Sequence, residues 1–167
     1  MLMKVFPHGT GEGDKPSRYL VRPDYPGRDT APPQVLRGDP AMTRALVDSI
    51  ERRWKFTSGV LSWHPDDKVS EEQEEEVMDA FEQVAFAGLE ADQRNILWVR
   101  HTHAGHHELH FLIPRLELSS GKDFNACPPG WQKDFDVFRD LFNWREGWAR
   151  PDDPARARDE LPKKADL

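Results

Sequence analysis

The chain has 167 residues, 37% of them hydrophobic, a formal net charge of −7 at pH 7 and one cysteine. This size and apolar content fit a single globular domain with a sizeable core, and the net acidity excludes a protein that coats nucleic acid or anionic membranes with its whole surface. Cys127 alone excludes an intrachain disulfide and a cysteine-rich zinc site, which points to a reducing, cytoplasmic setting. No apolar run approaches the roughly 18 residues of a spanning helix, and Met1 to His8 has no signal-peptide apolar region, so no membrane segment is expected. The charge is uneven. Residues 1–60 carry ten Lys/Arg against seven Asp/Glu, and residues 61–93 carry one against eleven.

In chain order, Leu2 to Phe6 reads as a short strand ending at Pro7. A glycine-rich loop follows, His8 to Pro16. Its alternate glycines could face a phosphate or simply form a flexible loop, and the Gly-Lys-Ser/Thr ending of a P-loop is missing. Pro16 to Val21 reads as a helical turn or two carrying Tyr19. Arg22 to Pro33, rich in Pro, Gly and Asp, reads as an exposed loop. Asp39 and Pro40 cap and start a helix whose Leu46, Ile50 and Trp54 form a core stripe. Lys55 to Trp63 reads as a strand that ends in His64-Pro-Asp-Asp. Ser70-Glu-Glu-Gln73 is a capping box, and the carboxylates behind it suit the positive end of a helix dipole. Val77, Phe81 and Val84 mark that helix's buried face, its Glu-rich side reads as solvated, and Gly88 ends it.

Arg94 to His101 and His107 to Leu118 read as antiparallel strands of a hairpin turning at Ala104-Gly105. Five of the seven histidines lie between 101 and 110. In this register His101 faces Glu108, and His110 projects from the same face because side-chain direction has period two. Two imidazoles and a carboxylate on one face read as a metal site with open coordination positions. A salt-bridged, partly exposed cluster is the plainer alternative. His103 is a second-shell or auxiliary candidate, His106 is less defined, and His107 should point to the other face. Beyond the hairpin, Trp131, Phe135, Phe138 and Phe142 recur at helical spacing as a core stripe. From Pro151 the composition is that of a polar tail or linker, directed toward a further C-terminal region. This divides the chain into a domain over 1–150 and a tail over 151–167. The order of elements fits an α+β fold with helices over a central antiparallel sheet.

A metal with open positions needs a substrate. Tyr19 lies beside Lys15 and Arg18, and a tyrosine attacks only when its proton is removed and cations stabilise the phenolate. A structural tyrosine is the plain alternative.

The segments Lys15-Pro-Ser-Arg-Tyr-Leu20, Phe56-Thr-Ser-Gly-Val-Leu-Ser62 and Ile96-Leu-Trp-Val-Arg-His-Thr-His-Ala-Gly-His-His-Glu-Leu-His-Phe-Leu-Ile-Pro114 together resemble the relaxases, specifically the mobilisation relaxases of small colicin-type plasmids. The resemblance runs from about Met3 to about Trp148. It implies a ferredoxin-like palm of the HUH endonuclease type, in which a tyrosine attacks a DNA phosphodiester at an origin of transfer, stays joined to the 5′ end and can reseal the strand. Tyr19 matches the nucleophile, and His101, Glu108 and His110 match the metal ligands. The resemblance implies one divalent ion, Mn²⁺ or Mg²⁺. It also implies single-stranded or extruded DNA as substrate and accessory mobilisation proteins as partners. Contacts to the DNA backbone are expected from Lys15, Arg18, Ser58, Arg100 and Arg115, with aromatic stacking; Trp98 is assigned to the core and Trp63 to the surface.

Two positions depart from the pattern. His110 stands where that branch has asparagine, which tilts the metal preference toward manganese, and His103 stands where it usually has aspartate. The family's tyrosine-rich segment after the hairpin is replaced by Asn125-Ala-Cys-Pro-Pro-Gly130. Two rival readings are a catalytically degenerate DNA-binding module and a two-histidine, one-carboxylate metalloenzyme.

Overall fold

The computed structural model describes residues 1–152. The polar stretch read as a tail falls outside the described residues from position 153 on. Strands β1 (Leu2–Val5), β2 (Gln34–Arg37), β3 (Phe56–Ser62), β4 (Leu97–His101) and β5 (Glu108–Pro114) alternate with helices α1 (Asp14–Val21), α2 (Pro40–Ser49), α3 (Glu71–Ala85) and α4 (Gln132–Glu146). The strands form one antiparallel sheet in the order β1-β3-β5-β4-β2. This is the expected α+β palm, with one strand more than the periodicity shows. That strand, β2, is a short edge strand with a register shift between Val35 and Arg37, too brief and too exposed to carry an alternating apolar pattern.

One face of the sheet carries the larger core. Leu61, Trp63, Trp98, Leu109, Phe111 and Ile113 project into it and meet Val77, Met78 and Phe81 of α3 and Phe135, Phe138 and Phe142 of α4. Phe81 is its centre, with ring centroids 4.6 Å from Phe111, 4.9 Å from Trp98 and 5.1 Å from Phe135. Truncation of such a ring to alanine costs about 3–5 kcal/mol. The capping box at Ser70 and Gln73 forms as expected and starts α3. The opposite face carries a smaller cluster, in which Leu20 of α1 sits on Leu97, Val99 and Leu112. Gly13, at the start of α1, is a packing device. A Cβ there would lie 2.8 Å from the Arg44 carbonyl oxygen and 2.8 Å from the Val47 Cβ of α2.

Four sequence expectations are corrected. The stripe Leu46, Ile50, Trp54 does not form, because α2 stops at Ser49 and Ile50 adopts an extended backbone as its C-cap. Thr43, Val47 and Ile50 are buried instead, and Trp54 is exposed. Trp63, expected at the surface, is fully buried, edge-on to Trp148 and His107. The loop from Arg22 to Pro33 is not exposed throughout, since Arg28 within it is completely buried. The acidic side of α3 is not purely a solvated face, because Glu74 is buried and ion-paired with Arg100 and His107. Cys127 is buried, which pushes its thiol up to about 12 and keeps it unreactive. Among the described residues, no helix is long and apolar enough to cross a membrane.

Candidate active site

The β4–β5 ladder ends at the pair His101 and Glu108, with Val99 opposite His110 two residues inward. The turn is longer than the two residues expected. The backbone nitrogen of Gly105 donates to the Thr102 carbonyl oxygen at 3.2 Å, Gly105 takes φ +82°, and residues 102–107 all lie outside the ladder. The register nevertheless puts His101, Glu108 and His110 on one face, and one ligand atom from each lies within 4.8 Å of the others. The same face carries Ser62 and Val60 of β3, paired with Glu108 and His110.

Two segments converge over this cluster. α1 lays its Leu20 on the sheet, and the Leu20 carbonyl oxygen lies 2.7 Å from His101 Nε2. That contact fixes the Nε2–H tautomer and leaves Nδ1, which makes no hydrogen bond, as the nitrogen with a free lone pair. Tyr19, one residue earlier, presents its ring edge-on to His101 at 6.5 Å. The loop of residues 22–33 then folds back over the turn. Gly27, at φ +86°, lies so close to His103 that a Cβ would sit 3.2 Å from its carbonyl oxygen. Tyr25 is edge-on to both Tyr19 and His103 at 5.6 Å. The guanidinium of Arg28 lies 5.0 Å from the Tyr19 ring and 4.8 Å from the Tyr25 ring. Tyr19, Tyr25, His101, His103, Glu108 and His110 all line one cavity of about 670 Å³.

The electrostatics suit a cation. Burial, reinforced by neighbouring His110, lowers His101 to about 4, so its imidazole is neutral at physiological pH. Burial alone would raise the Glu108 carboxyl. Its hydrogen bond with His110 and the charges of His110 and His106 override this and hold it at about 2. The two Glu108 oxygens are shared between His106 Nε2 at 3.1 Å and His110 Nε2 at 3.3 Å. Burial is also the largest influence on Tyr19 and raises its phenol, Tyr25 raises it further, and Arg28 opposes them. His103 is lowered, chiefly by burial and then by Arg28.

Of the residues singled out from the sequence, Tyr19, His101, His103, Glu108 and His110 come together. His107 turns to the opposite face, where its Nε2 lies 2.8 Å from Glu74. Ser58 is half-buried on the site's face, two residues along β3 from Val60. Lys15 and Arg18 are exposed on α1. Arg100 and Arg115 are not brought to the cluster. Arg100 is clamped by Glu74, with Nε 2.7 Å from Oε2, and Arg115 is buried with Nη2 2.7 Å from Asp123. Tyr25, the alternative nucleophile by residue type, also joins the cluster, and so does Arg28, which no sequence pattern points to. The one available signal was that the chain's only two tyrosines lie six residues apart.

The fold and the cluster identify the class: the chain belongs to the relaxase family, matching the MobA/VirD2-like relaxase nuclease domain over residues 40–143. That span contains the whole hairpin and leaves out Tyr19. Over its full length the chain is similar to cryptic plasmid protein C of Neisseria gonorrhoeae, 39% identical over 170 residues covering 100% of this chain and 80% of that protein. It is also similar to the DNA relaxase MbeA of Escherichia coli, 34% identical over 169 residues covering 98% of this chain and 32% of that protein. The chain therefore spans about a third of MbeA's length. No solved structure is a significant match.

Proposed function

We propose that this chain is a plasmid mobilisation relaxase whose domain over 1–150 nicks one DNA strand at an origin of transfer, with Tyr19 as nucleophile and His101, Glu108 and His110 as ligands of one divalent ion. The observation that carries this reading is the shared cavity, in which the Tyr19 phenol stands beside an imidazole–carboxylate cluster with open space around it. The residues fit a metal. His101 has an unpartnered, buried Nδ1, Glu108 is held ionised, and three protein ligands leave positions for substrate oxygens. The added histidine favours Mn²⁺ over Mg²⁺. When bound, such an ion neutralises charge on a non-bridging oxygen of the scissile phosphate.

The chain's own residues supply the rest. Tyr19 forms the bond from its phenolic oxygen to phosphorus as the bond to the 3′ oxygen breaks. The 3′ oxygen takes up a proton and the phenol proton leaves to water. Because the phosphotyrosine retains an ester of comparable energy, the 3′ hydroxyl can reverse the step and reseal the strand. Single-stranded or extruded DNA suits a site this recessed, and accessory proteins that open the duplex are the expected partners, as is a further region beyond the polar tail.

The test is to incubate the protein and Tyr19→Phe with supercoiled and single-stranded DNA carrying a candidate origin, in Mn²⁺, and to look for protein covalently held on a 5′ end. Adduct from the unaltered protein and none from Tyr19→Phe is expected. Equal adduct from the variant would transfer the role to Tyr25. Tight DNA binding with no adduct from either would mean a degenerate binding module.

A further inference from the structure

Arg28 is the only charged residue among the largest fully buried side chains. Its Nη1 donates to the carbonyl oxygens of Tyr19 at 2.5 Å and Arg22 at 2.8 Å. Its Nε and Nη2 make no hydrogen bond, and among the described residues no carboxylate forms an ion pair with it. What surrounds it instead is aromatic, with the Tyr19 and Tyr25 rings 5.0 Å and 4.8 Å from its guanidinium carbon. Removing a cation from water with no carboxylate in contact is expensive, and an apolar side chain of similar size would plug the same gap at lower cost. Retaining the charge therefore needs another reason.

We infer that Arg28 is a positioning residue for strand transfer, setting the attack geometry of Tyr19 and placing a fixed positive charge against its ring. This rests on the reading of Tyr19 as nucleophile. The geometry supports both parts of the role. One end of the guanidinium is tied to the backbone of Tyr19 itself, so the residue's main chain and ring are held by the same group. The cation's attraction to a neutral ring is modest, and it becomes a direct charge–charge attraction when the ring belongs to a phenolate. In nicking, Tyr19 loses its phenol proton to water and the phenolate oxygen gives an electron pair to phosphorus, while the 3′ oxygen leaves with the pair of the broken bond and takes up a proton. In resealing, the 3′ hydroxyl oxygen attacks phosphorus and loses its proton, and Tyr19 departs as phenolate. The negative ring is thus present on the reaction path in both directions, in a site where no other cation contacts both tyrosines among the described residues. Since the donors are buried, Arg28 reaches the substrate only through Tyr19 and contributes to the rate of transfer, not to the affinity for DNA.

The decisive comparison uses Arg28→Met and Arg28→Lys on a single-stranded oligonucleotide that the unaltered protein nicks in Mn²⁺. Rates of single-turnover nicking and of resealing are measured, together with oligonucleotide and Mn²⁺ affinities and the folded fraction. Arg28→Met should slow both directions by about tenfold to thirtyfold with unchanged affinities, the range expected for the lost interaction of a buried guanidinium with these rings. Arg28→Lys, which keeps the charge and loses the planar stack, should fall between. Nicking by Arg28→Met at the normal rate per folded molecule overturns the inference, as does a rate loss matched by an equal loss of DNA affinity, which marks a residue that only holds the loop. Should Arg28→Met fail to fold, Arg28→Lys decides alone by the same two criteria. If the unaltered protein nicks nothing, the reading of Tyr19 fails first and the inference falls with it.

Discussion

His101 and Glu108 face each other as the last pair of the β4–β5 ladder, and His110 stands beside them on the same face, two residues after Glu108. The pair links two opposite chemistries: burial keeps the imidazole neutral, while its neighbours keep the carboxylate charged. A divalent cation needs both.

Glu108→Gln removes the only carboxylate of the His101, Glu108 and His110 cluster. Mn²⁺ affinity should fall by about 100-fold, at least the loss seen when a residue that only supports a metal ligand is altered. Isothermal titration checks this, and unchanged affinity would move the metal elsewhere. His110→Asn should weaken Mn²⁺ binding more than Mg²⁺ binding, because an amide oxygen is a harder ligand than an imidazole.

His101 makes the metal-free protein sensitive to mild acid. Its folded value of about 4 lies below its ordinary 6.5, so as the pH falls through 6.5 the unfolded chain takes up a proton that the folded chain refuses. Stability should therefore be greatest above 6.5, decline by about 3 kcal/mol down to the folded value, and level off below it. Glu108 acts in a lower window. Its contribution is intact above its ordinary 4.5 and is lost as the pH falls through about 2. Urea unfolding in the presence of a chelator should show the decline between pH 6.5 and 4, and His101→Asn should flatten it whatever its own stability.

Trp54 offers an exposed ring, with the Arg53 guanidinium 4.7 Å from its centroid and His8 edge-on at 5.9 Å. It lies two residues before Phe56, where β3 begins and runs toward Val60 and the cluster. Trp54→Ala should cost under about 0.5 kcal/mol of stability. If a base stacks there, the variant should weaken single-stranded DNA binding by about tenfold. Binding equal to that of the unaltered protein would show that the strand follows another path.

Glu74 is the buried centre of an ion-paired group on the far side of the sheet, joining α3 to Arg100 and to His107 in the hairpin turn. Burial pushes its carboxyl upward, but the hydrogen bonds and charges of His107 and Arg100 prevail and lower it. Glu74→Ala leaves Arg100 without its main partner and should destabilise the fold by about 3–5 kcal/mol. It should also reduce hydrogen-exchange protection in residues 102–107, because the turn loses its tie to α3. A thermal melt indistinguishable from that of the unaltered protein would contradict this.

The sequence by itself determined the hairpin and its register, the capping of α2 and α3, and the aromatic stripe of α4. These are local properties: side-chain direction repeats every two residues in a strand and every 3.6 in a helix, and a cap needs only its own first turn. His101 facing Glu108, with His110 on the same face, follows from that period once the turn is located. Where burial depends on distant segments, only the tertiary structure decided. Trp63 and Trp54 exchanged their expected places because one lies against Trp148, just past the end of α4, and the other just past the end of α2. Arg100 and Arg115 found carboxylates that no pattern in their own strands announces. The loop of Pro, Gly and Asp around Arg28 carries no periodicity, so nothing local shows that it folds back onto His103 and buries a cation between two tyrosines. Local repetition places side chains on a face, and only the packing of remote segments settles which of them are covered and which charges are left to meet a substrate.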